Sequence, residues 1–333
     1  MIGGSALSIA IDGYRMQGLL HAVFTGTNCF SSDTFSLTFA IGPAPLHGLE
    51  FWSTLTSAYV EVSVSVDAGT TTIDVISGMV DNTTINPILK TVVIEGRDLS
   101  ASLIDSYRQQ DFVNQTASEV ISTIAQYHGL TAIASKTNGN VGRYYVDGYT
   151  RLSLGQFSRL RSDWDLVVQL ARENEFDAFV TGRSLYFQSI ANRNEISVRI
   201  DKGDVQRMTV ERALNIGAAA SARVQSWNSQ NMVGYNSGAQ DIASGGQTYL
   251  FSSPNFTSDQ VTAAATRYAS ELVRLSTILN IDMPRDFSYS PRTEILLTGT
   301  NSSLDTTYIV DSVERHYDAR SGSTQSIRAI KTD

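Results

Sequence analysis

Five of the aspartates and the one histidine of residues 97–200 are the first candidates for a chemical role. Carboxylates and imidazoles bind a metal ion or transfer protons when their spacing brings them together. No two of the six stand at a spacing that requires either role, and their positions suit helix caps, solvated faces and a helix-end dipole. We therefore prefer a structural interpretation for Asp98, Asp105, Asp111, His128, Asp163 and Asp165.

Glu95 and Asp98 form a close carboxylate pair, which is the type of pair that glycosidases use. A strand end followed by a turn aspartate explains them better. The chain has no GxxxxGK[ST], no GxGxxG after a strand, no HExxH and no GxSxG. The sequence thus predicts no catalytic, cofactor-binding or metal-binding residue, and a protein that is not an enzyme.

Cysteine and histidine are scarce. The single cysteine, Cys29, excludes an intramolecular disulfide framework and a cysteine-based zinc site. One cysteine also fits assembly in the cytoplasm. The histidines are scattered along the chain at His21, His47, His128 and His316.

Two helices are predicted in the segment that carries these aspartates. Thr116 and Glu119 have the spacing of a capping box, and Gly129 suits the position after the helix end. Ser162 and Asp165 repeat the capping arrangement in front of a second helix. Apolar residues recur at helical spacing behind both caps, so each helix buries one face. We expect Trp164 and Val167 to pack into the core of this segment.

Strands surround these helices. Phe176–Val180 and Leu185–Gln188 flank Thr181–Ser184 and predict a hairpin. The polar gap from Ser135 to Gln156 predicts a long loop, or a loop with short strands. Two roles remain open for its tyrosines, interface anchors or packing residues in short strands: Tyr144, Tyr145 and Tyr149. Residues 97–200 are therefore predicted to be an α+β domain.

Residues 1–96 predict a β domain. Alternating apolar residues mark strands at Leu7–Ile11, Phe35–Ile41 and Val60–Val66. Another strand is expected at Ile73–Val80, interrupted at Gly78 by a bend or bulge. Val92–Glu95 completes the set. Many short strands with one apolar face favour a barrel or a closed sandwich.

Residues 201–333 also predict a β domain, with one helix. Strands are expected at Val205–Val210 and Ala222–Trp227, a loop at Asn228–Gly246, and a helix at Asp259–Leu279 with Pro284 beyond its end. The last strands are predicted at Glu294–Thr298, Thr307–Tyr317 and Thr324–Ile330, the final two joined by a turn at Arg320–Ser323. The fold class is thus α+β, mainly β, with an α+β domain between two β-barrel domains.

Charge and hydropathy narrow the functional classes. The chain of 333 residues has a formal net charge of −8 and only 17% charged residues. We do not expect an acidic chain without a basic cluster to bind nucleic acid, although its surface would let DNA pass without binding it. The N-terminus lacks the pattern of a signal peptide, and no apolar run is long enough to cross a membrane.

The chain resembles phage tail hub proteins of the late-control protein D type, and the N-terminal part of type VI secretion spike proteins. The resemblance rests on VIEGRDLSASLIDSY, FVNQTASEVISTIA, HGL, SDWDLVVQLARENEF, VQSWNSQ and YIVDSVERHYDARSGSTQSIRA. It covers residues 90–330, whereas the first 90 match by β character alone. These motifs are structural signatures and mark no active site.

The resemblance implies a homotrimer in which each chain supplies two tube-protein-like β-barrels. Three chains would then form a pseudo-hexameric ring that joins the six-fold tail tube to a three-fold central spike, around a channel for DNA and the tape-measure protein. The implied partners are the tube or tube-initiator protein, the spike and the baseplate wedge proteins, without a cofactor. The implied location is the virion tail, after assembly in the host cytoplasm. Because the chain stops at Asp333, we expect other proteins to supply wall hydrolysis and the piercing tip.

Other classes stay open. The hub of a non-contractile tail is a close alternative that the sequence does not separate from the contractile kind. A glycan-active or carbohydrate-binding protein would have an aromatic groove with paired carboxylates. A receptor-binding fibre would have long repetitive β stretches, which this chain lacks.

Overall fold

A computed structural model gives the fold of the chain. It describes residues 6–28, 30–56, 58–66, 71–107, 110–146, 149–153, 162–189, 195–199, 205–213, 220–228, 233–239, 247–252, 256, 258–274 and 276–332. The described residues are mainly β and include large antiparallel sheets, as predicted. None of the described helices has the length and hydropathy needed to span a bilayer.

The N-terminal strands build one side of a large sheet. Their elements are β1 (Ala6–Ile11), β2 (Tyr14–Arg15), β3 (Leu19–Thr27), β4 (Thr34–Ala40), α1 (Leu49–Ser53), β5 (Tyr59–Val66), β6 (Thr71–Asn86) and β7 (Thr91–Asp98). They are hydrogen-bonded in the order β3-β4-β7-β6-β5-β1-β2. Alternate residues such as Phe35, Leu37 and Phe39 face one apolar core, where Phe39 stacks on Trp52. The predicted strands of this region are present.

One strand differs from its prediction. The predicted interruption at Gly78 is wrong, because β6 continues through it for 16 residues. Gly78 is instead a point of close backbone approach, where an added Cβ would lie 2.0 Å from the Arg97 carbonyl oxygen. Register irregularities lie on both sides of Gly78, between Asp74 and Ile76 where β6 pairs with β5, and between Val80 and Asn82 where β6 pairs with β7. Glycine is thus required at this position because any side chain would collide with the neighbouring backbone.

The middle elements form a separate α+β core. They are α2 (Ser100–Ile104), β8 (Asp111–Val113), α3 (Ala117–Tyr127), β9 (Thr131–Ala134), β10 (Arg143–Val146), β11 (Tyr149–Ser153), α4 (Asp163–Asn174), β12 (Phe176–Thr181) and β13 (Ser184–Ser189). Both predicted capping boxes are formed at Thr116 and Ser162. Gly129 follows α3 with a φ of 67°. The buried faces of α3 and α4 pack with the sheet β12-β13-β9, in which β12 and β13 form the predicted hairpin.

The gap between β9 and α4 contains the short strands that were one of its two predicted forms. β10 pairs with β11, and β11 pairs with β8. The side chains of Tyr144, Tyr145 and Tyr149 lie outside the described residues, as does Cys29, so their roles stay predictions.

The C-terminal strands build the other side of the large sheet. The elements that follow β13 are β14 (Glu195–Arg199), β15 (Arg207–Arg212), β16 (Ala220–Asn228), β17 (Val233–Ala239), β18 (Gln247–Ser252), α5 (Ser258–Arg274), β19 (Thr277–Pro284), β20 (Glu294–Thr298), β21 (Thr307–Asp318) and β22 (Gly322–Lys331). The hydrogen-bonded order is β15-β19-β22-β21, with β20 on β21 and β14 on β20. A second apolar core lies against these strands. The predicted terminal hairpin is β21 and β22.

Two predictions in this region are wrong. The helix predicted to reach Leu279 ends at Arg274, and Thr277–Pro284 is a strand between β15 and β22, so that Pro284 ends a strand rather than following a helix. The loop predicted at Asn228–Gly246 contains β17, which pairs with β16 along seven residues. Helix α5 packs on the sheet β17-β16-β18 around Val224, Val261, Ala264 and Ala265.

A direct strand pairing joins the N-terminal and C-terminal parts. β3 pairs antiparallel with β21, from Thr27 opposite Ser312 to His21 opposite Asp318. We call this pairing the seam. It makes the strands on both sides parts of one 13-stranded sheet. The domain boundaries at 96/97 and 200/201 stay a prediction.

Candidate functional site

The large sheet has a polar face on the side opposite its cores. Across the seam, Ala22, Phe24 and Val313 point into the apolar cores, so their neighbours along each strand point the other way. Most of these outward side chains are polar or charged, and Val23 and Val93 are apolar exceptions. We call the following set the polar sheet face: His21, Thr25, Ser36, Thr38, Glu95, Glu314, His316, Asp318, Ser326 and Arg328.

Acidic side chains outnumber basic ones on the polar sheet face. Glu95, Glu314 and Asp318 are acidic, whereas Arg328 is the one arginine or lysine of this set. Arg97 lies beside Glu95 on the same side of β7, and Asp81 and Asp105 bind its guanidinium. Backbone N–H groups of Ser321 and Arg320 donate to Asp318 and hold its pKa below the ordinary range. The face therefore carries net negative charge at neutral pH, across both halves of the chain.

A cleft of about 430 Å³ lies where three parts of the molecule meet. The N-terminal sheet contributes Asp33 and Asp98, the hairpin β12–β13 contributes Phe179, and the C-terminal part contributes Arg292 and Arg315. We call it the junction cleft. It contains two carboxyl groups whose pKa values are raised well above the ordinary value.

Strand register explains why Asp33 and Asp98 lie together. β4 and β7 are antiparallel with Thr34 opposite Arg97, so the residues just before and after this pair also face each other. The Asp98 N–H donates to the Asp33 carbonyl at 2.9 Å. Asp98 Oδ1 accepts from the Ser100 hydroxyl at 2.5 Å, and Asp33 Oδ1 accepts from the Thr27 N–H at 2.8 Å.

Burial raises the pKa of both carboxyl groups. It brings the pKa of Asp33 to about 6, against the lowering effects of the Thr27 N–H and the two arginines. For Asp98, burial and then the charge of Asp33 raise the pKa to about 7. Raised carboxyl pKa values in a cleft are a common sign of a binding or catalytic site. Sequence reasoning missed Asp33, and treated Asp98 as a turn residue.

The arginines of the junction cleft are held against aromatic rings. Arg292 lies with its guanidinium carbon 3.9 Å from the centroid of Phe179, and Arg315 lies 5.2 Å from that of Phe287. Arg315 is 9% exposed and donates from Nη2 to the Tyr289 carbonyl. Burial lowers the pKa of Arg315 to about 10.

Two of the candidate residues, His128 and Asp163, contact each other inside the middle core. His128 Nε2 lies 2.7 Å from Asp163 Oδ2, and both side chains are almost completely buried. The pair joins the end of α3 to the start of α4. A substrate could not reach it without local opening, so its geometry supports a structural role.

The other weighed residues have structural contacts. Asp105 and Asp81 bind the guanidinium of Arg97, which keeps the pKa of Asp105 low. Asp111 pairs with Arg151 across β8 and β11, and Asp165 completes the Ser162 capping box. Glu95 is exposed on the polar sheet face whereas Asp98 is buried, so these two residues do not form a carboxylate pair. No group of three metal-ligating side chains occurs within the part that the structure describes.

Comparison with known proteins finds solved structures with a similar fold but no close relative in sequence. No protein-family model matches the chain, and no curated protein matches it. Among solved structures, a tail protein from Neisseria meningitidis superimposes with a TM-score of 0.76 at 10% identity, covering 98% of this chain and 97% of that one. The 43 kDa tail protein of prophage MuSo2 from Shewanella oneidensis gives a TM-score of 0.76 at 15% identity, covering 98% of both chains.

A third similar structure comes from a secretion system. It is an Escherichia coli component of the type VI secretion system, described as structurally similar to the T4 bacteriophage tail proteins gp27 and gp5. The TM-score is 0.58 at 12% identity, with 98% of this chain and 77% of that chain covered. The resemblance expected from the sequence is therefore confirmed at the level of the fold: this chain is folded like phage tail proteins and a type VI secretion component.

Proposed function

We propose that this chain is a structural protein of a phage tail, and that it forms the hub of the baseplate. The fold it shares with two tail proteins over nearly their full lengths supports the tail role. The described contacts of the weighed aspartates with arginine, histidine and helix caps support a role without catalysis.

The seam is the observation that carries the hub proposal. It places an N-terminal and a C-terminal set of strands side by side in one chain, each on its own apolar core. If each set acts as one tube-like barrel, three chains supply six such units around one axis. A closed ring of three copies would then match a six-fold tube on one side and a three-fold spike on the other.

In this ring the polar sheet face lines the channel. A wall rich in serine and threonine with net negative charge repels the DNA phosphates, so DNA can pass without sticking. The tape-measure protein would occupy the channel before ejection. The tube or tube-initiator protein, the spike and the wedge proteins would bind at the ring's ends and rim. The complex would be part of the virion after assembly in the host cytoplasm.

Solution mass tests the proposal most directly. We expect light scattering on the purified chain to give three times 36.3 kDa, with ring-shaped particles in negative-stain images. The variant Val23→Pro removes the N–H of a residue in the middle of β3, which pairs with β4 on one side and with β21 on the other, and should abolish the rings. A wild-type chain that stays monomeric, even when co-expressed with neighbouring tail proteins, would overturn the hub proposal.

A further inference from the structure

The junction cleft contains two carboxyl groups that have no direct ion-pair partner, although Arg292 and Arg315 act on Asp33 from a longer distance. Within the described residues, neither Asp33 nor Asp98 forms an ion pair. The hydrogen-bond donors to these carboxyl groups among the described residues are neutral: the Thr27 N–H for Asp33, and the N–H and hydroxyl of Ser100 together with the Asp33 N–H for Asp98. Two ionised carboxyl groups that repel each other in a cleft are costly unless a cation reaches them.

We propose that the junction cleft binds a lysine or arginine residue presented by a chain segment of a partner protein. The cationic head would lie between Asp33 and Asp98, where it would supply a direct ion-pair partner. Phe179 and Phe287 would border its aliphatic stem. A charge-assisted hydrogen bond to a carboxylate is about twice as strong as a neutral one, so one such residue could anchor a segment.

A second observation indicates that the ligand also carries an acceptor. Arg315 lines the cleft and is nine-tenths buried, yet its Nε has no hydrogen-bond acceptor among the described residues. Buried guanidinium donors are normally paired. A small shift of the guanidinium would bring Nε to a backbone carbonyl of the bound segment. The cleft thus needs both a cation and an acceptor, which a basic residue in a peptide provides and an isolated amine does not.

The surrounding charges predict how binding depends on pH. Asp74 on β6, Asp177 on β12, Arg292 beside β20 and Arg315 on β21 face the cleft, while Arg285 and Asp286 act on Arg315. The pKa values of Asp33 and Asp98 are about 6 and about 7. Both are largely ionised at pH 8 and largely protonated at pH 5.5. A cation should therefore bind more tightly at pH 8.

The inference rests on the cleft alone and can be tested on the purified chain. The probes are arginine amide, citrulline amide, putrescine and inorganic phosphate, each titrated calorimetrically at pH 8 and pH 5.5. Arginine amide offers a cation and a carbonyl, citrulline amide a carbonyl without charge, and putrescine charge without a carbonyl. We expect arginine amide to bind about ten-fold more tightly than either of these at pH 8, and more weakly at pH 5.5.

Isosteric variants locate the binding. Asp33→Asn and Asp98→Asn keep the oxygens that accept from Thr27 and Ser100, so the fold should survive. Each should weaken arginine amide about ten-fold. Glu61→Gln, on β5 and outside the cleft, is the matched control and should bind like the wild type.

Several outcomes overturn the inference. Equal binding of arginine amide and citrulline amide would show that the cation does not contribute to binding. Equal binding of putrescine and arginine amide would show that the peptide carbonyl does not contribute. Binding of phosphate alone would make the cleft an anion site of the two arginines. Because none of these titrations requires a ring, their failure is distinct from failure of the hub proposal.

Discussion

Asp98 shows how one residue can couple stability to pH. It is 6% exposed and its pKa is about 7, far above the ordinary value of 3.8. The folded state then binds its proton more tightly than the unfolded state does. Between those two pKa values the folded chain holds the extra proton, so stability falls as pH rises from about 4 to 7.

Replacing this carboxyl group removes the effect. We expect Asp98→Asn to be more stable than the wild type at pH 8, and to gain about 2 kcal/mol relative to the wild type between pH 5 and pH 8, because each pKa unit corresponds to about 1.4 kcal/mol. Denaturant unfolding at the two pH values measures this. An unchanged difference between variant and wild type would show that the carboxyl group is not buried in the way described.

The buried pair His128–Asp163 predicts a different behaviour. Asp163→Ala leaves a buried imidazole without its partner and should lower the free energy of unfolding by about 3 kcal/mol. The matched variant Asp165→Ala, two residues along the same helix, removes half of a capping box and should cost about 1 kcal/mol. Denaturant melts of both variants give the comparison. Equal losses would contradict the special role of the pair.

Among the elements, α4 connects two parts of the molecule. Trp164 is buried in the middle core as predicted, and its Nε1 donates to the Phe30 carbonyl at 2.7 Å, beyond the end of β3. The predicted face of α4 therefore packs inward. The hydrogen bond to the N-terminal part has no signal in the sequence, because it joins residues 134 positions apart.

We expect Trp164→Ala to cost about 3–5 kcal/mol, as is typical of a large buried aromatic side chain. Trp164→Phe keeps most of the packing and removes the hydrogen bond, so it should cost about 1 kcal/mol beyond the small change in volume. Denaturant melts separate the two effects. A loss under about 1 kcal/mol for Trp164→Ala would contradict the burial of this face.

Local patterns were enough to predict most elements. Caps, glycines and apolar periodicity lie within a few residues of each other, so α3, α4, β1, β4, β5 and the terminal hairpin follow from the sequence. The helix α5 was predicted too long because the apolar residues of β19 continue its stripe past Arg274. The β-branched pair at Thr277 and Ile278 marks the change, yet only tertiary pairing with β15 and β22 settles it.

For the whole molecule, the pairing of distant strands decides both the seam and the junction cleft. Asp33 and Asp98 come together only because β4 and β7 have one particular register. Neither residue has a neighbour in sequence that suggests the other. The cleft also needs β12 and the loop before β20, which are far apart in the chain. Such a site is therefore beyond local sequence patterns, unlike the helices.

Charge on the polar sheet face gives a test at this scale. The double variant Glu95→Lys with Glu314→Lys reverses its charge, and we expect it to bind double-stranded DNA at low salt, where the wild type does not. A filter-binding assay across salt concentrations measures this. Glu50→Lys with Glu175→Lys makes the same change in net charge outside this face, at α1 and directly after α4. Equal DNA binding by both variants would show that position on the sheet is irrelevant.

The seam joins two strands that are synthesised at different times. β3 leaves the ribosome long before its partner β21, which is about 290 residues further along. At translation rates of 5–20 residues per second, that interval is roughly 15–60 s. During this time one edge of β3 has no partner, and open strand edges pair readily with other chains. Slow synthesis, rather than heat or denaturant, is therefore the condition under which neighbouring nascent copies are most exposed to wrong pairing.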